Sequence, residues 1–348
     1  MHNVWGEHNL DNDIFLAVSA DGFQPFKNRQ EDERSIATIN FNLHPSQRYK
    51  RRNVLPLGFV PGPRELGKLH SFLQPLINEL IRMPSDGFPM KFYDGIIRKV
   101  RVHLIYISRD QPAVSKLIQG VYYRTTGGGG HYYYPPTVRE NETGETKRLF
   151  DIRNLPHRAT QQTTETIGKL SSANSTERAR IRNETGIRSG SIFFTLPLAD
   201  PHRIASGFGP YAFFPHDVMH LFYNIQRELI CLWLSMPNES FFLQQRVVEE
   251  VDVEPTNWGY SISGQLTPKP RLISDFRRWK AADHKAFSLN FALIILDRVF
   301  SEQDLNGLEL LVKVIDISFR TAVRDTDVQT LCDIATKYFD HFEQKYYR

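Results

Sequence analysis

The stretch IFLAVSADG, residues 14–22, decides the fold of the first part of this chain. Its apolar run, residues 14–20, predicts a β-strand, and the Asp21-Gly22 pair that follows predicts a turn at the end of that strand. Residues 34–43 alternate apolar and polar side chains, and residues 53–60 form a third strand-like run before a Pro-Gly-Pro sequence. Pro56 within the third run favours an edge position or a β-bulge.

A helix and a fourth strand follow these three strands. Apolar side chains recur at three- and four-residue steps through residues 65–83, which predicts an amphipathic helix that ends before Pro84. Residues 99–108, KVRVHLIYIS, predict a strand that stops at Arg109-Asp110, and residues 113–119 predict a short helix. Three strands in a meander, a helix and a parallel fourth strand make up the α/β order of the ribonuclease H-like fold.

The rest of the chain predicts two further parts. The expected division is residues 1–122 as the N-terminal part of a ribonuclease H-like catalytic core, 123–190 as a loose linker rich in Gly, Tyr, Ser and Arg, and 191–348 as a mainly helical region. The linker contains one helix candidate, residues 160–171. The helix candidates of the last part are residues 216–234, 272–300, 304–320 and 327–347.

Composition excludes several classes of protein. With 41% hydrophobic residues among 348, the chain can bury a core, which rules out a disordered tail protein. No apolar run reaches about 18 residues, so no membrane span is expected and the protein is expected to be soluble and intracellular. The two cysteines, Cys231 and Cys332, are too few for a disulfide scaffold or a four-cysteine metal site. A net charge of +4 permits nucleic-acid contact without requiring it.

Asp21 and Asp110 are the candidate catalytic carboxylates. Each ends a predicted strand, and in the predicted order the first and fourth strands lie side by side. Their carboxyl ends then bring both carboxylates to one edge of the sheet, an arrangement that suits Mg²⁺-dependent phosphodiester chemistry. A simpler interpretation stays open: Asp-Gly after a strand is commonly a turn, and Asp110 before Gln-Pro suits a helix cap.

Several separated motifs resemble the CACTA-type (En/Spm-like) transposases, and in particular the large fungal group of those elements. The resemblance covers most of the chain in collinear order and is weakest at residues 125–183. The motifs are AVSADGFQPF (17–26), Asn42-Leu43, Arg48-Tyr49, Leu57-Gly58, VPGP (60–63), FLQPL (72–76), ISRDQPAVSKL (107–117), FPHDVMHLFYN (214–224) and WKAAD (279–283).

The resemblance implies a DDE-type DNA transposase with a ribonuclease H-like core, which cleaves transposon ends and joins them to target DNA with Mg²⁺ or Mn²⁺. Asp21 matches the family's first catalytic and metal-binding aspartate, and Asp110 its second. Asp217 and His220 match a family signature, although an N-cap aspartate and a packed core histidine explain the same two residues. The implied location is the nucleus, otherwise the cytoplasm.

The chain departs from the family in two places. The Cys-x-x-Cys loop that usually follows the second aspartate is missing, so no zinc site is expected. The third acid, in a glutamate-arginine motif, has no counterpart before the chain ends at Arg348. Asp283, Glu302 and Glu309 are substitutes in principle only, so no third acid is assigned.

These departures predict an incomplete transposase-derived protein, weakly active or inactive, with the question of enzyme activity open. The alternative is a non-catalytic DNA-binding or protein-interaction remnant of a transposon gene; an unrelated structural α/β protein is disfavoured by the collinear motifs. DNA is the expected partner, with the chain itself or a full-length transposase as further partners, and no membrane or nucleotide cofactor. The cations of residues 147–188 suit phosphate contact, or a plain solvated loop.

Overall fold

The computed structural model describes residues 12–23, 33–60, 69–108, 114, 117, 119, 137–139, 146–148, 153, 160–196, 213–215, 217–261 and 268–346. The chain divides into two compact units, Met1–Asp217 and Val218–Arg348, and each is described by itself. The three-part division made from the sequence stays a prediction.

A four-stranded mixed sheet forms the first unit's framework. Its strands are β1 (Ile14–Phe23), β2 (Glu33–Asn40), β3 (Val54–Val60) and β6 (Val102–Ser108), in the spatial order β3-β2-β1-β6. β1 pairs antiparallel with β2, β2 pairs antiparallel with β3, and β6 lies parallel to β1. The predicted meander with a parallel strand beside β1 is therefore confirmed.

Pro56 has both of the predicted consequences. β3 is the edge strand of the sheet, where the missing N–H of a proline is tolerated. The ladder also shifts its register here, because Ile36 pairs with Gly58 while the next residue, Ala37, pairs with Pro56. Leu57 is the extra residue of this bulge.

The predicted amphipathic helix is α2 (Leu69–Asp86), which follows a short helix α1 (Pro45–Arg48). Leu73, Ile77 and Leu80 are buried at four- and three-residue steps, so one face of α2 packs on the sheet. The expected end before Pro84 is wrong, because α2 continues for two residues past that proline. The buried core between α2, the sheet, residues 192–196 and residues 213–214 includes Val18, Ile36, Val60, Leu73, Ile77, Leu80, Leu104, Ile107, Leu117, Phe193, Leu196, Phe213 and Phe214.

A hairpin that the sequence did not predict precedes β6. It pairs β4 (Phe88–Lys91) with β5 (Ile97–Val100) and turns at Gly95, whose φ is +79°. The predicted strand 99–108 is thus two strands that separate at Arg101 and pair with different partners. The turn is fixed by Asp94, which accepts from the Ile96 N–H and pairs with Arg98.

The middle of the chain contains more regular structure than a loose linker. The backbone forms a short hairpin of β7 (Thr137–Arg139) and β8 (Thr146–Arg148). The helix expected at 160–171 is α3 (Thr160–Ser172), and α4 (Ser175–Thr185) follows it where a loop was expected. Asn174 caps α4 by accepting from the Glu177 N–H, and Gly186 ends it at φ +68°.

The second unit is helical, as predicted. Its elements are α5 (Val218–Ser235), α6 (Gln245–Ser261), a 3₁₀-helix (Ile273–Arg278), α7 (Ala281–Ala286), a π-turn (Phe287–Phe291), α8 (Ala292–Leu296), α9 (Glu302–Ser318) and α10 (Asp325–Tyr346). α6 was not among the predicted helices.

The helices of this unit surround one apolar core. Its fully buried members include Ile230, Trp233, Phe241, Ile273, Leu296 and Ile315. The polar contacts that hold the last helix to the rest include Trp233 Nε1, which donates to Tyr346 Oη at 3.2 Å, and Lys345 Nζ, which lies 2.8 Å from Asp304 Oδ1. None of the helices in the described ranges has the length and apolar character needed to cross a membrane.

Candidate functional site

The carboxyl ends of β1 and β6 meet at one edge of the sheet. Val18 lies opposite Ile107, and Ser19 lies opposite Ser108 at the last position of the parallel ladder. β1 continues beyond that point, and its backbone at Asp21 pairs with Ser35 of β2. In sequence, Asp21 stands two residues after Ser19, and Asp110 stands two residues after Ser108.

The structure therefore joins the two strands that lead to the candidate carboxylates. The side chain of Asp21 and the whole of Asp110 lie outside the described residues, so the distance between the two carboxylates stays a prediction. Carboxylate oxygens are the ligands that Mg²⁺ prefers, and the strand pairing is compatible with a shared ion at this edge. Among the side chains that are described, no group of three His, Cys, Asp or Glu residues could hold a metal ion.

A buried acid–histidine pair fixes the opposite end of the same two strands. Asp13 stands directly before β1, and its Oδ2 lies 2.9 Å from Nε2 of His103 on β6, with both side chains almost fully buried. The other oxygen of Asp13 accepts from the Arg101 N–H, and Phe15 stacks on the His103 ring at 5.4 Å. The pair thus fixes the register of β1 against β6 at the end opposite the candidate carboxylates. The sequence analysis assigned this role to neither residue.

Asn42 closes the same end from the β2 side. Its amide nitrogen donates to the Asp13 carbonyl at 2.8 Å, and its Oδ1 accepts from the Phe15 N–H at 2.8 Å. Asn42 belongs to a motif that resembles the transposases, and its contacts give that motif residue a structural role.

The segment after Asp110 is tied to α2 and to the chain beyond α4. Leu117 is buried, and its carbonyl oxygen lies 3.1 Å from His70 Nε2 and 2.6 Å from Ser191 Oγ. Because a carbonyl only accepts, both side chains donate to it. Gln119, at φ +56°, accepts at its carbonyl from the Arg188 N–H at 2.8 Å.

His70 is suited to this fixed structural contact. Burial lowers the pKa of His70 below its ordinary value, and the bond to Leu117 opposes that shift only in part. A neutral ring with its proton on Nε2 is then the form present near pH 7. His70 and Ser191 carry no sequence signal that marks them; only the fold brings them to one carbonyl.

Asp217 and His220 lie at the start of α5. Asp217 is the residue directly before α5, and His220 is in the first turn of that helix. Both side chains are half-buried and are engaged with other groups. A functional role of this signature is untested.

Three acids were considered as substitutes for the third carboxylate. Asp283 is buried and accepts from the Lys280 N–H at 2.8 Å, so it caps α7, and Arg271 pairs with its other oxygen at 3.3 Å. Glu309 pairs with Lys313 on the surface of α9, and Glu302 lies in the first turn of the same helix. These positions give Asp283 a capping role and leave the two glutamates on a solvated helix.

The arginines proposed for phosphate contact in residues 147–188 are largely used within the fold. Arg178 donates to the Leu170 carbonyl at 2.9 Å and so caps the end of α3. Arg180 bonds to Glu177 and to Glu184, and Arg182 donates to the Arg188 carbonyl. α4 thus presents paired charges, which weakens it as a nucleic-acid surface.

Comparison with known proteins gives one family match. Residues 6–142 match the model of the transposase family tnp2. The matched stretch includes the four strands of the mixed sheet and both candidate aspartates. The match supports a transposase-derived protein. A search of curated proteins found no match to the chain.

Proposed function

We propose that this chain is a transposase-derived protein of the CACTA type whose first unit is a ribonuclease H-like core for metal-dependent DNA cleavage. One observation carries the proposal: β1 and β6 are parallel neighbours, and each leads in sequence to an aspartate two residues past the pair Ser19 and Ser108. The match to the transposase family, residues 6–142, covers both of these strands.

The proposed chemistry is the opening of a phosphodiester bond in DNA. Asp21 and Asp110 would hold Mg²⁺ or Mn²⁺ through their carboxylates, and a bound divalent ion supplies Lewis-acid activation and charge neutralisation. The neighbouring contacts of this chain would keep the two strands in place: Asp13 and His103 at one end, and His70 with Ser191 on the segment beyond Asp110.

Activity is proposed to be weak. Asp283, the matched-motif acid considered as a third carboxylate, caps α7 instead, and with two carboxylates alone a second metal ion would lack a ligand. Loss of one ion's charge stabilisation costs several kcal/mol in an in-line phosphoryl transfer, which amounts to orders of magnitude in rate. Action in the nucleus, alone or together with a complete transposase, is part of this proposal.

Metal binding and DNA nicking test the proposal together. The full chain is titrated with Mn²⁺ by calorimetry and assayed for nicking of supercoiled DNA with Mn²⁺ or EDTA. Asp21→Asn and Asp110→Asn are each expected to weaken Mn²⁺ binding at least tenfold and to abolish any nicking. Asp86→Asn, which changes an exposed carboxylate on α2, is the control and is expected to behave like the parent.

The second candidate is a DNA-binding remnant without catalysis. It is favoured by the capping role of Asp283, which removes the one matched-motif acid from the catalytic choices. Metal-independent DNA binding combined with unchanged Mn²⁺ affinity in both aspartate variants would establish this candidate and end the catalytic one.

A further inference from the structure

One segment of the second unit is rich in positive charge. Residues 269–285 contain six Lys and Arg residues and two aspartates, a net charge of +4, which equals the net charge of all 348 residues. The cations are Lys269, Arg271, Arg277, Arg278, Lys280 and Lys285, hereafter the cationic strip. All six are exposed.

The backbone of the strip is rigidly anchored. Within the 3₁₀-helix residues three apart share a face, and Ile273 and Phe276 are buried there, followed by Trp279. The Asp252 carboxylate accepts from the N–H groups of Ile273 and Ser274 at 2.6 and 3.2 Å. The cations therefore project from a fixed platform.

Internal acids neutralise only part of this charge. Arg271 pairs with Asp283, and Arg278 pairs with Asp275 at 3.5 Å while its side chain keeps 82% of its exposure. Arg277 lies over the Phe276 ring, and Lys285 lies 4.2 Å from the centroid of the Phe319 ring. A cluster of exposed cations on a rigid element is the usual footprint of contact with phosphates.

A cavity of about 260 Å³ opens beside the strip at Lys285. Its walls are mainly apolar and aromatic, with Phe222, Tyr223 and Phe319 among them, and Ala282 lies exposed on its lining. The volume exceeds that of an engineered cavity of about 150 Å³ that binds benzene, so a planar ring fits.

One polar group in the cavity wall lacks a partner. His284 Nδ1 lies 2.9 Å from Gln226 Oε1, and the Gln226 amide nitrogen donates to Ser288 Oγ at 2.5 Å. Nδ1 therefore carries the proton and Nε2 is an acceptor, for which no partner is found in the described part of the chain. That nitrogen is buried in the wall, and the cavity itself is mainly apolar and aromatic, which suits the flat faces of a base.

We propose that the cationic strip holds the phosphates of a DNA strand while the adjoining cavity receives one unstacked base. Phosphate contact and base stacking on aromatic side chains are the two components of single-strand recognition, and here they adjoin at Lys285. The inference rests on the proposed function only in taking DNA as the partner. It assigns the DNA-binding surface to the second unit, whereas the sequence analysis had considered residues 147–188.

Fluorescence anisotropy in EDTA tests the strip. The full chain is titrated against a labelled duplex at several salt concentrations. Arg277→Gln/Lys280→Gln is expected to weaken binding and to reduce the slope of log K against log salt by about 1 for each cation. Arg246→Gln, which changes an exposed, paired cation on α6, is the matched control. An unchanged slope in the double variant would contradict the proposal that the cationic strip contacts DNA phosphates.

Two further labelled duplexes test whether the cavity receives a base. One carries a single bulged base and the other is fully paired; the parent is expected to prefer the bulged duplex by about tenfold. Ala282→Leu narrows the cavity from its exposed side and is expected to abolish the preference without weakening the paired duplex. Ala322→Leu, at an exposed site before α10, is the control. No preference in the parent, or a preference that survives Ala282→Leu, overturns the base pocket.

These outcomes are independent of catalysis. DNA binding is measured without metal, so the nicking result for the aspartate variants does not affect the test of the cationic strip. If the cationic strip does not bind DNA, the test of Mn²⁺ binding and nicking still stands.

Discussion

Ser19 and Ser108 face each other at the last rung of a parallel ladder, although β2, β3, α2 and a hairpin separate them along the chain. Each is followed two residues later by an aspartate. Because parallel strands end at the same edge of a sheet, this pairing is the observation on which the proposed common site of the two aspartates rests. The following predictions concern the contacts that hold this pairing and the helical unit in place.

The buried pair of Asp13 and His103 is expected to stabilise the sheet. Asp13→Ala leaves His103 Nε2 and the Arg101 N–H without their acceptor and should lower the free energy of unfolding by about 2–4 kcal/mol. Asp13→Asn keeps one acceptor and should cost less. Urea unfolding of the full chain measures both, and Asp86→Asn serves as an exposed control. A loss below about 0.5 kcal/mol in Asp13→Ala would show that the pair contributes nothing net.

Two helical glycines should respond in opposite directions to alanine. Gly168 in α3 has open space where a Cβ would stand, so Gly168→Ala should raise stability by about 0.5–1 kcal/mol. A Cβ at Gly307 in α9 would lie 2.1 Å from His341 Nε2, so Gly307→Ala should lower stability by about 1–3 kcal/mol. Thermal unfolding of the two variants gives the comparison.

A double variant separates the causes. Gly307→Ala/His341→Ala removes the ring that the new methyl group would meet, and it should be more stable than Gly307→Ala alone. Equal stabilisation by both single glycine variants would mean that the His341 ring moves aside at no cost.

His284 makes the second unit sensitive to acid. Burial lowers its pKa to about 4, with Asp283 opposing and Arg227 adding to the shift. The unfolded chain binds a proton near pH 6.5 and the folded one does not, so stability is complete above that pH and falls as pH drops towards 4. The loss between pH 7 and 5 should be about 2 kcal/mol.

The comparison with His284→Gln isolates this contribution. Urea unfolding of parent and variant at pH 7 and pH 5 should show the smaller decline in the variant, whose side chain does not titrate. Equal declines would mean that His284 is protonated in the folded protein.

His70 and Ser191 should show coupled effects because they donate to one carbonyl. Either His70→Leu or Ser191→Ala leaves Leu117 with one donor and should cost about 1 kcal/mol. The double variant leaves a buried carbonyl without a partner, so its loss should exceed the sum of the single losses by at least 0.5 kcal/mol. A double-mutant cycle from urea unfolding measures the difference, and strict additivity would contradict the shared contact.

The order of the main elements was predictable because each carries a strong local pattern. β1 is a continuous apolar run, β2 alternates, and α2 repeats at helical steps, so period alone identifies them. The parallel pairing followed from that order. The pattern could not place the end of α2, because Pro84 lies inside the helix, two residues before its end.

The elements that were missed lack such a pattern. β4 is four residues long, contains Pro89 and is mostly exposed, so no alternation marks it. α4 buries only Ile181 among its described side chains, and its signals are its caps, Asn174 with Glu177 and the final Gly186. Reading those caps would have predicted this helix.

The sequence pattern predicted that Asp21 and Asp110 each follow the end of a strand. For Asp21 this is wrong, because β1 runs on to Phe23, and Asp110 lies outside the described residues. The contacts between Asp13 and His103, or between His70 and Leu117, join residues far apart in the chain, and no local pattern encodes them. The sequence contains the cations of the cationic strip at residues 269–285. That their backbone is rigid became evident only from the structure, in which Ile273, Phe276 and Trp279 are buried.

The bulge in β3 also bears on the behaviour of the protein at high concentration. The open edge exposes Leu55, Leu57 and Phe59 at 57%, 46% and 58%, a surface that would otherwise invite another sheet to pair with it. Pro56 removes a backbone donor in the middle of that edge, and the extra residue interrupts the spacing of the remaining ones. The same irregularity that ends the sheet therefore protects the chain against edge-to-edge aggregation.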